Sequence, residues 1–350
     1  MATRLEYIWV GGSKELRSKV KVTKNLKYFK DVLNKKHEDF TISDIPMWDF
    51  DGSSTGQATG DNSEVLLKPC KIYKNTSEVD GFEGSYYVLC ETLLPNMTAH
   101  STNTRSISAE LFKTHGADYE PMFGIEHEFF LLDGKTNKPL GFPIIGYPKP
   151  QGQYYCSIGE GNVYGKKFLN EALSLAVKTG IQVTGSNLEV CPGQMEIQVC
   201  NYGIDAADDS MMLKYLLSKL GEDYGYIIEW GAKPVSGDWN GSGCHVNFST
   251  NQMREEGGLE HIMDAINKLR KKHLEHINVY GDDNCERLTG LHETSDINTF
   301  SYGVADRGCS IRIPRNTERD KKGYFEDRRP SSSANMYLVT AKLFKTCIDI

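Results

Sequence analysis

Several carboxylates in this chain sit where a polypeptide would place them only with a cation nearby. In residues 123–130, FGIEHEFF, a strand sends successive side chains to opposite faces. Glu126 and Glu128 then share one face and His127 takes the other. Like charges on one side of an apolar strand repel and are costly to bury without a partner. A wet edge strand would also carry such a pair. In residues 187–198, NLEVCPGQMEIQ, Pro192-Gly193 fit the centre of a type II turn over 191–194. Symmetric pairing outward from that turn predicts Glu189 directly opposite Glu196, with Cβ atoms about 4.5–5.5 Å apart. Asn187, Glu189, Glu196 and Gln198 then share a face, and Leu188, Val190, Met195 and Ile197 take the other. The two carboxylate pairs together favour a divalent-metal site over a solvated polar face.

A fifth candidate ligand is His245 in NGSGCHVNFST, residues 240–250, where His245 and Asn247 alternate with Val246 and Phe248. The glycines ahead of it allow close backbone approach to a ligand. NGSG alone is a weak phosphate signal, and the sequence has no P-loop and no dinucleotide-binding glycine pattern. Arg287, Arg307, Arg312, Arg315, Arg328 and Arg329 concentrate positive charge near the C-terminal end, and Glu326 adds a carboxylate beside two of them. Arginine forks bind carboxylates and phosphates, although any single arginine is more often solvated. Hard-ion ligands plus anion-binding arginines suggest phosphoryl transfer. Residue types alone reach a metal-dependent enzyme acting on phosphate and carboxylate.

The elements that must position these groups are legible in outline. Residues 164–179 carry apolar side chains at helical spacing and stop at Gly180. Further helices are expected from about Ser108, over 208–220 and over 259–280. The last contains His273 and His276, whose spacing allows a metal pair, although a surface helix face is the favoured reading. Lys19-Val20-Lys21-Val22 alternates as an exposed strand in a lysine-rich stretch reaching position 40, where a solvated face is favoured over phosphate binding. Trp48–Gln57 reads as a short strand running into a Gly/Ser/Thr-rich loop, with Asp51-Gly52 also explicable as turn chemistry. A second alternating segment spans 86–91. Residues 95–105 look like a linker and place a domain boundary near 100, and 141–163 reads as a long ordered loop. Repeats and low-complexity tracts are absent.

At 350 residues, two domains are expected. A net charge of -7 argues against nucleic acid as a partner. No apolar run is long enough for a bilayer, and residues 1–10 lack a signal-peptide core. Nine cysteines without a CxxC pair suit reduced thiols and a cytoplasmic location. The sequons at Asn75 and Asn96 carry no weight without a secretory signal.

FDGSSTGQ at 50–57, GIEHE at 124–128, NLEVCPGQMEIQ, NGSGCHVNFST, RLTGLHETS at 287–295 and GYFEDRRP at 323–330 occur in order across nearly the whole chain. In this the chain resembles the glutamine synthetase family, in its eukaryotic-type form. The resemblance implies an α+β fold, with a β-grasp domain over 1–100 and a catalytic domain over 101–350 built on a curved antiparallel sheet flanked by helices. It implies ATP-dependent ligation of ammonia to the side-chain carboxylate of L-glutamate through γ-glutamyl phosphate, with two or more Mg²⁺ or Mn²⁺ ions per site. It also implies a homo-oligomer of stacked rings, a decamer, whose active sites join one subunit's catalytic domain to its neighbour's N-terminal domain.

By motif, Glu128, Glu189 and Glu196 match the ligands of the first metal, and Glu126, His245 and Glu326 those of the second, with Glu126 also at the ATP phosphates. Asn240, Gly241, His245, Arg287 and Arg328 match the glutamate site. Arg307, Arg312 and Tyr324 match the ATP site, both arginines also meeting the transferring phosphoryl group and Arg307 taking a catalytic role. Asp51 matches the group that takes a proton from ammonium, and Glu293 the carboxylate of a loop that closes over the site.

The sequence departs from the pattern at His127, usually Gln, which alternation points away from the metals. Met122 replaces an aromatic, Gly11-Gly12 replaces Asp-Gly, and residues 70–84 do not match. Two other readings compete: a ligase joining glutamate to a larger amine, and a non-catalytic ring protein. Asp51 and Glu293 favour ammonia, and retention of every proposed ligand disfavours a scaffold.

Overall fold

Residues 2–24, 41–76 and 81–350 are described, by a computed structural model. The lysine-rich stretch beyond position 24 and part of the 70–84 segment lie outside them. The chain divides into two compact units, Met1–Ala109 with Lys178–Gly180, and Glu110–Val177 with Ile181–Ile350.

The first unit holds five strands: β1 (Ala2–Val10), β2 (Leu16–Lys24), β3 (Trp48–Asp51), β4 (Glu64–Lys74) and β5 (Phe82–Leu93), in the order β2-β1-β5-β4-β3. The first and last strands lie parallel at the centre and the other pairs are antiparallel. That arrangement fits the expected grasp domain. Alternation drives it, since Leu5, Tyr7, Trp9, Val65, Leu67 and Val88 turn to one face and form the core. On the edge strand β2 it is Val20 and Val22 that are exposed, not the lysines expected on the solvated face. Lys19 and Lys21 are not simply solvated, because their ammonium groups lie 3.5 and 4.6 Å from the Trp48 ring centroid.

The second unit is built on a curled eight-stranded sheet. Its strands are β6 (Met122–Asp133), β7 (Val183–Leu188), β8 (Gln194–Tyr202), β9 (Tyr226–Glu229), β10 (Cys244–Ser249), β11 (Tyr302–Val304), β12 (Ile311–Ile313) and β13 (Phe325–Asp327). They run in the order β11-β12-β13-β10-β6-β8-β7, with β9 also on β6. All pairs are antiparallel except β11 with β12, which departs from the expected antiparallel sheet. One face is apolar, with Phe123, Ile125, Phe129, Ile197, Val199, Val246 and Phe248 fully buried.

Helices α1 (Thr104–Tyr119), α2 (Lys166–Thr179), α3 (Gly203–Tyr224), α4 (Asn251–Arg254), α5 (Gly258–Lys271), α6 (His273–Ile277), α7 (Arg315–Asp320) and α8 (Met336–Ile348) complete the described fold. α3 packs on β6, β8 and α8. α1 begins before Ser108 because the Asn103 carboxamide accepts from Ser106 N at 3.1 Å. α3 outruns the expected 208–220 at both ends and stops at Gly225, whose φ of +68° is left-handed. The single helix expected over 259–280 is broken at Lys272, with φ -107° and ψ 21°. The break turns His273 and His276 inward, so they form neither a surface face nor a metal pair. His276 Nδ1 lies 2.6 Å from the Tyr280 hydroxyl and its Nε2 2.9 Å from Thr346 Oγ1. Among the described residues no helix is long and apolar enough to cross a membrane.

Candidate active site

The polar face of the second sheet is assembled by register. Glu126 and Glu128 leave β6 on the same side, and His127 leaves on the other, where its Nε2 lies 2.9 Å from Ser210 Oγ. β10 places His245 opposite Glu126, and β13 places Glu326 opposite Asn247. On the other flank, β8 places Glu196 opposite Glu128 and Gln198 opposite Glu126. Four adjacent strands therefore bring five of the candidate ligands to one surface, and the β7–β8 connection supplies the sixth, Glu189.

That connection corrects the expected hairpin. Gly193 has φ +77° and Gln194 N donates to Cys191 O at 3.2 Å, as a type II turn requires. Pairing then resumes with Glu189 N donating to Gln194 O at 3.0 Å, and Asn187 faces Glu196. The register is displaced by two residues, so Glu189 is not opposite Glu196. A shift of two preserves every face, because strand side chains repeat with period two. The turn is pinned to β6, where Leu131 N donates to Gly193 O at 2.9 Å.

Two clusters result. Glu126, His245 and Glu326 bring one ligand atom each within 4.8 Å of one another, and so do Glu128, Glu189 and Glu196. His245 Nδ1 lies 3.3 Å from Glu126, 3.6 Å from Glu326 and 3.8 Å from Glu128. Burial, reinforced by Arg328, keeps its imidazole well below the ordinary histidine range. Burial raises the three carboxyls of the second cluster: Glu128 to about 8, with Glu189 adding; Glu189 to about 7, with Glu196 adding; and Glu196 to about 8, with Glu126 and Glu128 adding.

Neutral donors orient these three carboxylates. Asn187 Nδ2 donates to Glu189 at 2.8 Å, Gln198 Nε2 to Glu196 at 2.7 Å, and Gly243 N to Glu128 at 2.8 Å. Neutral amides cannot balance three buried charges, whereas a divalent cation can. Oxygen donors with one imidazole suit Mg²⁺ or Mn²⁺, so the residues fit such ions.

The arginines divide. Arg328 Nη1 donates to Glu326 at 2.6 Å, and Arg312 Nε donates to the same carboxylate. Arg287 is buried; its Nη2 donates to the carbonyls of residues 328, 329 and 330 at 3.0, 2.7 and 3.0 Å. Arg307 pairs with Glu293 at 3.1 Å. Arg329, by contrast, turns to the opposite side of β13 and pairs with Asp327 at 2.6 Å, so it takes no part in this face. Arg315 begins α7 and lines neither cavity of the face.

A cavity of about 20 Å³ brings Asn240, Gly241, Arg287, Glu293, Arg307 and Arg328 around Glu128, Glu189 and His245. A larger one, about 510 Å³, begins at Glu126 and is lined by Met122, Gly124, Asn247, Arg254 and Tyr324. Asp51 belongs to the first unit, where its carboxylate accepts from Ser53 N, Ser53 Oγ and Ser54 Oγ at 3.0, 2.6 and 2.7 Å. These bonds, above all from the hydroxyls, hold its carboxyl below the usual range.

Sequence reasoning missed Gln151, which donates to Asn240 Oδ1 and accepts from Asn240 N, both at 2.8 Å. It lies in an irregular loop where no periodicity signals a role. His292, beside Glu293 in the small cavity, was also missed.

A sheet face with two hard-metal ligand sets, flanked by arginines and opening into a ligand-sized cavity, defines an enzyme that works on anionic substrates with divalent cations. A family model described as the catalytic domain of glutamine synthetase matches residues 102–270. A putative glutamine synthetase of Acanthamoeba polyphaga mimivirus is 44% identical over 348 residues, covering 99% of this chain and 94% of the relative. The cytosolic glutamine synthetase isozyme of Pinus sylvestris is 43% identical, covering 98% and 93%. The chloroplastic glutamine synthetase of Brassica napus is 45% identical, covering 98% and 77%. The chain belongs to the glutamine synthetase family.

Proposed function

We propose that this chain makes L-glutamine from L-glutamate, ammonia and ATP, through γ-glutamyl phosphate, releasing ADP and phosphate. A carboxylate is a poor electrophile, and phosphorylation of its oxygen supplies a leaving group that ammonia can displace. Glu128, Glu189 and Glu196 would hold one divalent cation, and Glu126, His245 and Glu326 a second. Such ions, Mg²⁺ or Mn²⁺, supply charge neutralisation for the phosphates.

The chain's own residues do the rest. Tyr324 borders the cavity that leads from Glu126, which gives a nucleotide room to lie with its phosphates toward the carboxylates. Arg307 and Arg312 face developing negative charge on the transferring phosphoryl group. Arg287, Arg328 and the Asn240–Gly241 loop orient glutamate. Asp51 and Glu293 attract ammonium and accept its proton as the nucleophile attacks. The loop carrying Glu293 keeps water from the activated carboxyl.

The observation that carries this reading is the meeting of three buried, mutually repelling carboxylates within 4.8 Å. We further assign a β-grasp domain to 1–100 and a catalytic domain to 101–350, a cytoplasmic location, and a decamer of stacked rings with sites shared between subunits. The test is glutamine and phosphate formation with ATP, glutamate and ammonium, with Mg²⁺ or Mn²⁺ added. Turnover without ammonium dependence would overturn the proposal.

A further inference from the structure

β13 and the residues after it alternate between two environments. Glu326 and Arg328 face the site, while Asp327 and Arg329 face away and are fully buried. Arg329 Nε and Nη2 donate to Asp327 at 2.8 and 2.6 Å, and its Nη1 meets His273 Nδ1 at 3.0 Å. A guanidinium only donates, so Nδ1 must accept and the imidazole proton sits on Nε2. His273 Nε2 lies 2.8 Å from Ile297 O, which accepts that proton. The histidine therefore joins Arg329 to the chain in one fixed tautomer.

Ile297 directly follows the loop that covers the small cavity. Thr289 bridges to Asp296, and Ile297 N donates to Leu288 O at 2.9 Å, closing the loop at its base. Within it, His292 and Glu293 take left-handed backbone conformations, at φ +53° and +62°. Such conformations persist only where the surroundings hold them. Arg328 Nη2 reaches Glu293 O at 3.4 Å. Phe300, just beyond the base, packs against His273 at 5.7 Å between centroids, and Arg329 lies over its ring at 5.2 Å. Adjacent arginines thus hold the two parts of one loop: Arg328 its tip directly, and Arg329 its base through His273.

We propose that His273 is a positioning residue for the reaction, docking the base of the 289–297 loop onto the β13 segment so that the loop excludes water from the activated carboxyl. This rests on the proposed glutamine-forming reaction. Displacement of phosphate from γ-glutamyl phosphate by ammonia gives glutamine; displacement by water returns glutamate. Both consume ATP and release phosphate, so the phosphate-to-glutamine ratio reads the leak.

The test compares the full-length wild type with His273→Leu, His273→Asn and His273→Gln at saturating glutamate, ATP and ammonium, each checked for native particle size. Wild type should give a ratio near one. His273→Leu should raise it by about 3- to 10-fold, the change expected from losing, of its two hydrogen bonds, the one that holds the loop base at Ile297. His273→Asn can still accept from Arg329 but cannot reach Ile297, so it should leak as well, and it carries the test if His273→Leu does not fold. His273→Gln keeps a donor for Ile297 at the ε position but loses the acceptor for Arg329, so it should give a ratio between wild type and His273→Leu. Folded Leu and Asn variants that lose turnover with an unchanged ratio would overturn the proposal. A wild type that makes no glutamine from ammonium would instead overturn the underlying reaction.

Discussion

Glu128 on β6 stands directly opposite Glu196 on β8, two buried carboxylates in adjacent register with Glu189 completing the group. Without a cation this is a destabilising element of the fold. Glu196→Ala should lower affinity at the first metal position by about tenfold or more, as removal of a ligand does. Calorimetric or Mn²⁺ electron-resonance titration measures it; unchanged affinity would remove Glu196 from the ligand set. The neutral isostere Glu196→Gln should stabilise the metal-free protein at pH 8 by about 1–3 kcal/mol, since it relieves repulsion.

The raised carboxyls also fix the sign of a pH effect. Glu128 and Glu196 are pushed up to about 8 and Glu189 to about 7, so across that range the folded chain holds protons that the unfolded chain has released. The three carboxyls therefore contribute stability to the metal-free protein that is lost as pH rises toward 8, and above about 6.5 the neutral buried histidines no longer oppose that slope. Metal binding releases these protons, so affinity should rise over the same interval. Melts in chelator at pH 6 and 8, repeated with saturating Mg²⁺, check both signs. A metal-free protein that is more stable at pH 8 would contradict the assignment.

Strand alternation made the site's faces legible from sequence. In residues 123–130, 187–198 and 244–248 each candidate ligand lies on the polar face and His127 on the other, because period-two geometry depends only on local backbone. Register does not. The Pro192-Gly193 turn formed, yet pairing beyond it moved by two residues once Leu131 bonded Gly193, a contact made by a distant strand. His273 and His276 show the same limit, since a helical pattern cannot reveal that Arg329, Ile297 and Thr346 await them inside. The parallel β11–β12 pair likewise follows from chain path rather than composition.

Asp51 is held as a charged carboxylate by Ser53 and Ser54, which makes it a weak base for the ammonium proton it is proposed to accept. In the proposed reaction, proton transfer to it would therefore accompany attack rather than precede it. Asp51→Ala should depress ammonium-dependent glutamine formation by about 100-fold or more, with a smaller loss in glutamate-dependent ADP release. Parallel assays of the two products decide. An equal loss in both would take Asp51 out of the ammonium step.

Gln151 fixes the Asn240–Gly241 segment from outside the sheet. Its carboxamide bonds Asn240 twice, donating to Oδ1 and accepting from N, each at 2.8 Å, so the segment cannot rotate without breaking both. Gln194 secures the same segment from within, donating to Gly241 O at 3.1 Å. Loss of one of these two supports should loosen the proposed glutamate end of the site and leave the cavity proposed for the nucleotide, which neither glutamine lines, as it was. Gln151→Leu should raise KM for glutamate by about 5- to 30-fold, the equivalent of two neutral hydrogen bonds, with KM for ATP within about twofold of wild type. Steady-state kinetics with each substrate varied in turn measures the split; a glutamate KM that stays put would show that the segment holds its shape without Gln151.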